Sequence, residues 1–308
     1  MSNQFQAILV TGRDRVRFLH NFCTADIRGL SAGRAVEAFF TDARARIVAH
    51  GYVLMLENQL QIWLLSDDPL RLHKHLDRYI ISEDVKLSIP ADCDSFAVNA
   101  AGLNSLPGLP ALVAGSCGPI ADLDGSVTGL CVSWSGQLLV HFCGAAAASA
   151  QLRQSADLQP RLLSDFNLQQ HRITERYPII GTDLSIDHLA PEADRNAQAI
   201  CYTKGCYLGQ EPIARIDALG HINRALRLVR LSFTKSEAGD AEVDPATVAA
   251  AAVGAELLLD DGTVAATLTS ATAADNEVWG LAVLRLAAVS QITRARLVDG
   301  LTMSAAVP

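Results

Sequence analysis

The chain has no Cys-x-x-Cys pair, no long hydrophobic run, few aromatic residues and no excess of positive charge. Each shortage excludes something. The seven cysteines (Cys23, Cys93, Cys117, Cys131, Cys143, Cys201 and Cys206) are odd in number and scattered. That argues against a disulfide framework and against a dedicated zinc site, and reduced thiols in a cytoplasmic protein fit best. The longest apolar run, 248–255, is too short to span a bilayer, so no membrane partner is expected. The first five residues lack a basic segment leading into an apolar one, so no secretory signal is expected either. A formal net charge of -8 disfavours bulk electrostatic attachment to nucleic acid, and no direct nucleic-acid contact is expected.

What is present is a globular composition. Half of the 308 residues are hydrophobic and 19% are charged, and a chain this long exceeds the usual size of one core. Within it, the stretch Tyr202-Thr203-Lys204-Gly205-Cys206-Tyr207-Leu208-Gly209-Gln210-Glu211 has no clear apolar period of either two or 3.6 residues. Its glycines permit positive φ or close approach to a ligand. A cation two residues from a thiol favours the thiolate. The stretch reads as a site built around Cys206, with Lys204 as the partner that would lower the thiol pKa. Cys201, five residues away, reads either as a packed thiol or as one that resolves an oxidised Cys206.

Taken in order, residues 6–10 predict a strand, and Asp14 an N-cap for a helix that stops near Gly29. Strands are expected at 35–40, 47–56 and 60–65, then a helix opened by Asp68-Pro69, then a strand at 85–89. Further strands are expected at 96–98, 127–134 and 138–142, and helices at 145–154 and 161–176. Short strands at 227–233, 256–259, 263–269, 277–284 and 295–297 suggest a small barrel, with 236–252 as an exposed connection within it. The expected fold class is α+β, with lobes at 1–90 and 91–222 and a β-barrel at 223–308. The motif would lie between these parts, where a pocket is expected.

Lys204-Gly205-Cys206-Tyr207-Leu208-Gly209-Gln210-Glu211 resembles the KGCYxGQE signature of the YgfZ-type folate-binding proteins, relatives of the T-protein (aminomethyltransferase) of the glycine cleavage system. The likeness continues through Ala214-Arg215 and 220–226, and upstream through Gly12-Arg13-Asp14, Phe18-Leu19 and Thr24-Ala25-Asp26. The resemblance implies two ferredoxin-like, T-protein-type α+β lobes and a C-terminal barrel around a folate site. It implies tetrahydrofolate or a derivative as cofactor, and iron–sulfur enzymes or their assembly factors, including those that modify tRNA, as partners. It makes Cys206 the essential residue. Tyr207, Gly209, Gln210, Glu211, Arg215, Arg172, Glu175 and Arg224 become candidates for holding the cofactor, the arginines because a guanidinium grips carboxylates in a fork.

Two departures bear on chemistry. T-proteins carry an aspartate in a strand that here reads Ile47-Val48-Ala49-His50-Gly51-Tyr52-Val53, with no carboxylate, so classical aminomethyl transfer is not expected. A folate-contacting Glu in a pattern like RIEAG is displaced in Arg172-Ile173-Thr174-Glu175-Arg176, which on a helix turns the side chain by about 100°. His50 reads as a satisfied structural residue or as a stand-in for the aspartate; His73 and His75, two apart, cannot share a metal ion. The leading expectation is a folate-binding accessory protein for iron–sulfur enzymes acting through Cys206. The alternatives are a folate-dependent one-carbon transferase or demethylase, and a thiol redox enzyme without folate.

Overall fold

The computed structural model describes residues 4–66, 68–123, 125–220, 222–232, 245–274, 277–298 and 300–308. They group into two compact units. One comprises residues 1–168 and 195–215, the other 169–194 and 216–308, within those described limits.

The first unit opens with β1 (Phe5–Thr11), α1 (Arg15–Phe22), β2 (Arg34–Thr41), β3 (Ile47–Met55), β4 (Leu60–Leu65), α2 (Pro69–Asp77) and β5 (Lys86–Ser88). The strands form an antiparallel sheet in the order β2-β3-β4-β1-β5. Asp68 caps α2 as its sequence predicts, its carboxylate accepting from Leu70 N at 2.9 Å. Asp14 stands at the N-cap position of α1, but its carboxylate accepts from Asp84 N at 2.9 Å instead, so it ties the helix to the approach of β5. The helix stops at Phe22, about two turns before Gly29, because residues 20–25 are drawn into contacts described below.

A second antiparallel sheet, in the order β6-β9-β8-β7, is built from β6 (Asp94–Asn99), β7 (Cys117–Pro119), β8 (Val127–Trp134) and β9 (Gln137–Gly144), followed by α3 (Ala146–Arg153). The β8–β9 turn has positive φ at Ser135 and Gly136, which is the geometry a two-residue hairpin loop needs. The first sheet buries one face under α1 and α2, through Phe18, Leu19, Leu72 and Leu76. Its other face meets the second sheet: Trp134 Nε1 donates to Tyr52 Oη at 3.2 Å, Gln61 Nε2 to Thr128 Oγ1 at 3.2 Å, and Phe5 lies edge-on to His141. Burial on both faces explains why every residue of β4 is apolar or internally bonded rather than alternating.

The second unit takes the C-terminal half of α4 (Asp165–Thr174), then enters β10 (Arg224–Ser232) from α6 (Gln210–Leu219), within which the chain passes from one unit to the other. The tetrapeptide helix α5 (Asn196–Ala199) belongs to the first unit. There follow α7 (Pro245–Ala252), β11 (Glu256–Leu259), β12 (Val264–Thr267), β13 (Ser270–Ala274), β14 (Glu277–Arg285), β15 (Ile292–Arg296) and β16 (Thr302–Ala306). The seven strands run β12-β11-β15-β16-β10-β14-β13. The two edge strands, β12 and β13, are joined by Leu268 and Thr269 alone, and two residues span only about 7 Å. The sheet must therefore curl until its edges approach, which gives a half-barrel where the short strands suggested a small barrel.

Three expectations need correction. Residues 263–269 were expected as one strand, but the chain breaks at Leu268, whose N–H turns to Ala255 O, and a new strand begins at Ser270. The strand β16 is absent from the sequence reading because Ser304 and the alanines carry little β-propensity. Of the expected exposed connection, 236–244 lies outside the described residues, whereas 245–252 is α7, with Val248, Ala249 and Ala252 buried in the core. No helix of the described residues is long and apolar enough to cross a membrane.

Candidate functional site

The stretch around Cys206 is an irregular loop knitted to the segment after α1. Cys201 N donates to Thr24 O at 2.9 Å, and Leu208 N to Asn21 O at 2.9 Å. Thr24 Oγ1 donates to Ala199 O at 2.5 Å, and Thr41 Oγ1 to Leu208 O at 2.7 Å. The N-terminal and signature halves of the family pattern, far apart in sequence, are thus two sides of one structure. Cys201 N, Thr24, Leu208 and Thr41 hold the loop at both ends.

Lys204 anchors its middle. The ammonium is buried, with the residue 8% exposed, and donates to His20 O at 2.5 Å, Ala25 O at 2.7 Å and Cys23 O at 2.8 Å. The final carbonyls of a helix have no partner within it, and a cation there is favoured by the dipole. An ammonium has three hydrogens, and all three are taken. No N–H of Lys204 is therefore left to donate to the Cys206 thiol. Burial pulls the Lys204 pKa below the ordinary lysine value, opposed by Cys23 and Asp26.

Tyr207 is buried, its ring 5.0 Å from the Lys204 ammonium, and burial pushes its phenol pKa up. Gly209 has φ +85°, and a Cβ there would come within 2.5 Å of Asp42 O and 2.6 Å of Thr41 Oγ1. The close approach that this glycine permits here is to the β2–β3 turn. Gln210 is half-buried and its amide reaches Lys204 O at 3.5 Å, closing the loop onto the start of α6. Glu211 and Arg215 lie exposed one turn apart on α6, and Arg215 pairs with no carboxylate among the described residues. Cys206 itself is the exposed cysteine of the seven, all of which are free thiols.

The remaining candidates lie in the second unit. Arg172 is 0% exposed and makes four hydrogen bonds. Its guanidinium donates to Asp183 Oδ2 at 2.6 Å, Tyr177 O at 2.8 Å, Ser270 Oγ at 2.8 Å and Gln169 Oε1 at 3.0 Å. It is a buried ion pair that pins α4 to β13. Arg224 holds a protein carboxylate, Glu192, at 2.9 Å. Glu175 caps the end of α4: its N–H still donates to His171 O at 3.0 Å, and the helix then closes in a reverse turn with Tyr177 N bonded to Arg172 O and Arg176 N to Ile173 O. Arg176 carries φ +58° in the position where the family pattern has glycine.

Two features went unread in the sequence. His20, buried and 3.3 Å from Asp26, comes within 4.0 Å of where a Gly205 side chain would begin, and its pKa is lowered by burial and then by the Lys204 charge. Asp26 was visible only as part of the family pattern, and no local signal links it to His20. Secondly, a carboxylate does reach His50: Glu37, from β2, lies 2.8 Å from His50 Nε2. It is also clasped by Arg195, through Nη2 at 2.7 Å and through Nε. Burial would raise the Glu37 pKa, but the Arg195 charge together with the hydrogen bonds from Arg195 and His50 outweighs it and brings it to about 2. His50 is thus a buried core residue, held by Glu37 and stacked on Phe39.

Cys201, half-buried, differs from the exposed Cys206. Burial raises its pKa, but the Thr203 hydroxyl and the backbone N–H groups of Thr203 and Lys204 outweigh this and lower it. A cavity of about 740 Å³ in the first unit, walled by Glu57, Asn58, Gln59, Leu109 and Pro110, includes no residue of the motif. Among the described residues no cluster of three metal-ligating side chains occurs.

Comparison with known proteins places these features. No family model matches the chain. It is 26% identical over 231 residues to the tRNA-modifying protein YgfZ of Colwellia psychrerythraea, covering 73% of this chain and 68% of that one. It is 29% identical over 294 residues to the protein of the same name from Serratia proteamaculans, covering 90% and 81%. Its fold matches the glycine cleavage system aminomethyltransferase T of Bartonella henselae with a TM-score of 0.71 at 14% identity, over 98% of this chain and 82% of that one. In sequence the chain resembles the YgfZ proteins, as its Cys206 motif implies, on the fold of a glycine cleavage aminomethyltransferase.

Proposed function

We propose that the chain is a folate-linked accessory protein of tRNA modification that serves iron–sulfur enzymes through the thiol of Cys206. One observation carries this. Lys204, Tyr207 and Gly209 of the signature are spent on fixing the loop, and the thiol they frame faces solvent. A segment so constrained around one exposed nucleophile is suited to presenting it to a partner, because preorganisation lowers the entropy cost of engagement. The names of the YgfZ relatives supply the tRNA context.

For folate, Arg172, Tyr207 and Gly209 are withdrawn by their internal contacts. Arg215, an exposed guanidinium, is the residue whose chemistry fits a glutamate-tail carboxylate, with Gln210 and Glu211 beside it on α6. One-carbon transfer is the weaker reading. The carboxylate nearest the T-protein aspartate position is Glu37, buried and neutralised by Arg195, so it offers no charge to a substrate amine.

The test replaces the chromosomal gene by Cys206→Ala or by a deletion and measures an iron–sulfur-dependent tRNA modification by nucleoside mass spectrometry. Both strains are expected to lose modification. Normal modification in both would overturn the reading. Titration with tetrahydrofolate, followed by tryptophan fluorescence, tests the ligand separately; no saturable change at millimolar ligand would remove folate from it.

A further inference from the structure

Far from the motif in the chain, two other thiols meet. Cys93, half-buried just before β6, and Cys143, buried near the end of β9, have their Sγ atoms 3.1 Å apart. The ladder sets Ser95 opposite Cys143, so Cys93, two residues earlier, is its diagonal neighbour on the same face of the sheet. A disulfide needs about 2.05 Å between sulfurs, so closure takes a movement of about 1 Å. Cys93 can supply it, because β6 begins only at Asp94 and no ladder bond holds it in place.

We propose that Cys93 and Cys143 are a dithiol couple that closes to a reversible disulfide when it meets a low-molecular-weight disulfide. The two positions differ in the way the reaction needs. The Cys143 thiol is directed at Cys93 and at Phe5 O, 3.7 Å away. That hydrogen bond lowers the Cys93 pKa against the opposing effect of burial, and it raises that of Cys143, which burial raises further. Cys93, the more accessible, attacks as thiolate; one sulfur–sulfur bond of the oxidant breaks, a thiolate leaves, and a mixed disulfide forms on Cys93. Cys143 then gives up its proton, attacks the Cys93 sulfur and expels the second thiolate. The pair loses two electrons and two protons, and the oxidant becomes two thiols. Nothing in this step involves Cys206, so the couple stands or falls independently of the function proposed above.

The experiment uses the full chain, fully reduced, incubated with oxidised glutathione, quenched in acid, alkylated after denaturation and digested for mass spectrometry. The expected product is one cross-linked peptide pair joining Cys93 and Cys143, lighter by two hydrogens and released by dithiothreitol. In Cys143→Ser the reaction should stop one step earlier, with glutathione retained on Cys93. Recovery of both cysteines fully alkylated under oxidant that modifies Cys206 would overturn the proposal. So would a bridge formed only between Cys201 and Cys206, or stable glutathione on Cys93 of the unaltered chain. The unaltered chain alone decides these outcomes, so a variant that fails to fold leaves the test intact.

Discussion

Replacing Lys204 by Met keeps the length and apolar stem of the side chain and deletes its ammonium. Three carbonyls, of His20, Cys23 and Ala25, lose their partner at once. Hydrogen bonds to a charged group contribute ~1.5–3 kcal/mol each, a gross ~4.5–9 kcal/mol. Against this, the methionine no longer has to desolvate a buried cation, a cost of several kcal/mol. The net loss is expected at about 3 kcal/mol, close to what breaking a buried ionic contact costs and a large share of a typical domain's stability. Urea unfolding monitored by far-UV circular dichroism reads this as a lower midpoint at unchanged slope. Cys206→Ser is the control. An exposed substitution should stay within about 0.5 kcal/mol of the parent. A loss below about 1 kcal/mol for Lys204→Met would refute the reasoning, since the carbonyls would then have found other partners and the cation would not be what holds the loop.

Other substitutions probe the same frame. Gly209→Ala, which puts a methyl group against Asp42 O in a left-handed backbone conformation, is expected to cost about 2 kcal/mol or more in the same assay; a neutral result would mean that the β2–β3 turn yields freely. Glu37 has a folded pKa near 2, depressed from the usual 4.5 by Arg195 despite its burial. Its contribution, on the order of 3 kcal/mol, is fully present above the unfolded value and is lost as pH falls from about 4.5 through 2. Glu37→Gln should flatten that part of the stability–pH curve, and an unchanged curve would remove Glu37 as its source. Arg176→Gly relieves a left-handed backbone worth about 1 kcal/mol but breaks an exposed pair with Asp194 worth up to about 1 kcal/mol. Arg176→Ala breaks the pair and keeps the strain, so thermal unfolding should place the glycine variant above the alanine one.

The sequence carried what is local. Strands of alternating or continuous apolar residues, the Asp68-Pro69 helix start and the Ser135-Gly136 turn each follow from the chemistry of a few adjacent residues. The motif around Cys206 was equally legible, because its glycines and thiol break any apolar period. Pairings across long separations were not. Nothing near Lys204 indicates that its charge would be consumed 179 to 184 residues upstream, nor near Arg172 that Asp183 and Ser270 would enclose it. The same holds for Glu37 with Arg195, 158 residues apart, and for Cys93 with Cys143. A charged side chain reads alike in sequence whether it meets water or buried carbonyls, since burial depends on which segments fold over it. The residue types of the site were therefore settled by the sequence alone. Only the tertiary structure decided that Lys204, Tyr207, Gly209 and Gln210 hold the loop in place while one thiol, Cys206, remains open to solvent.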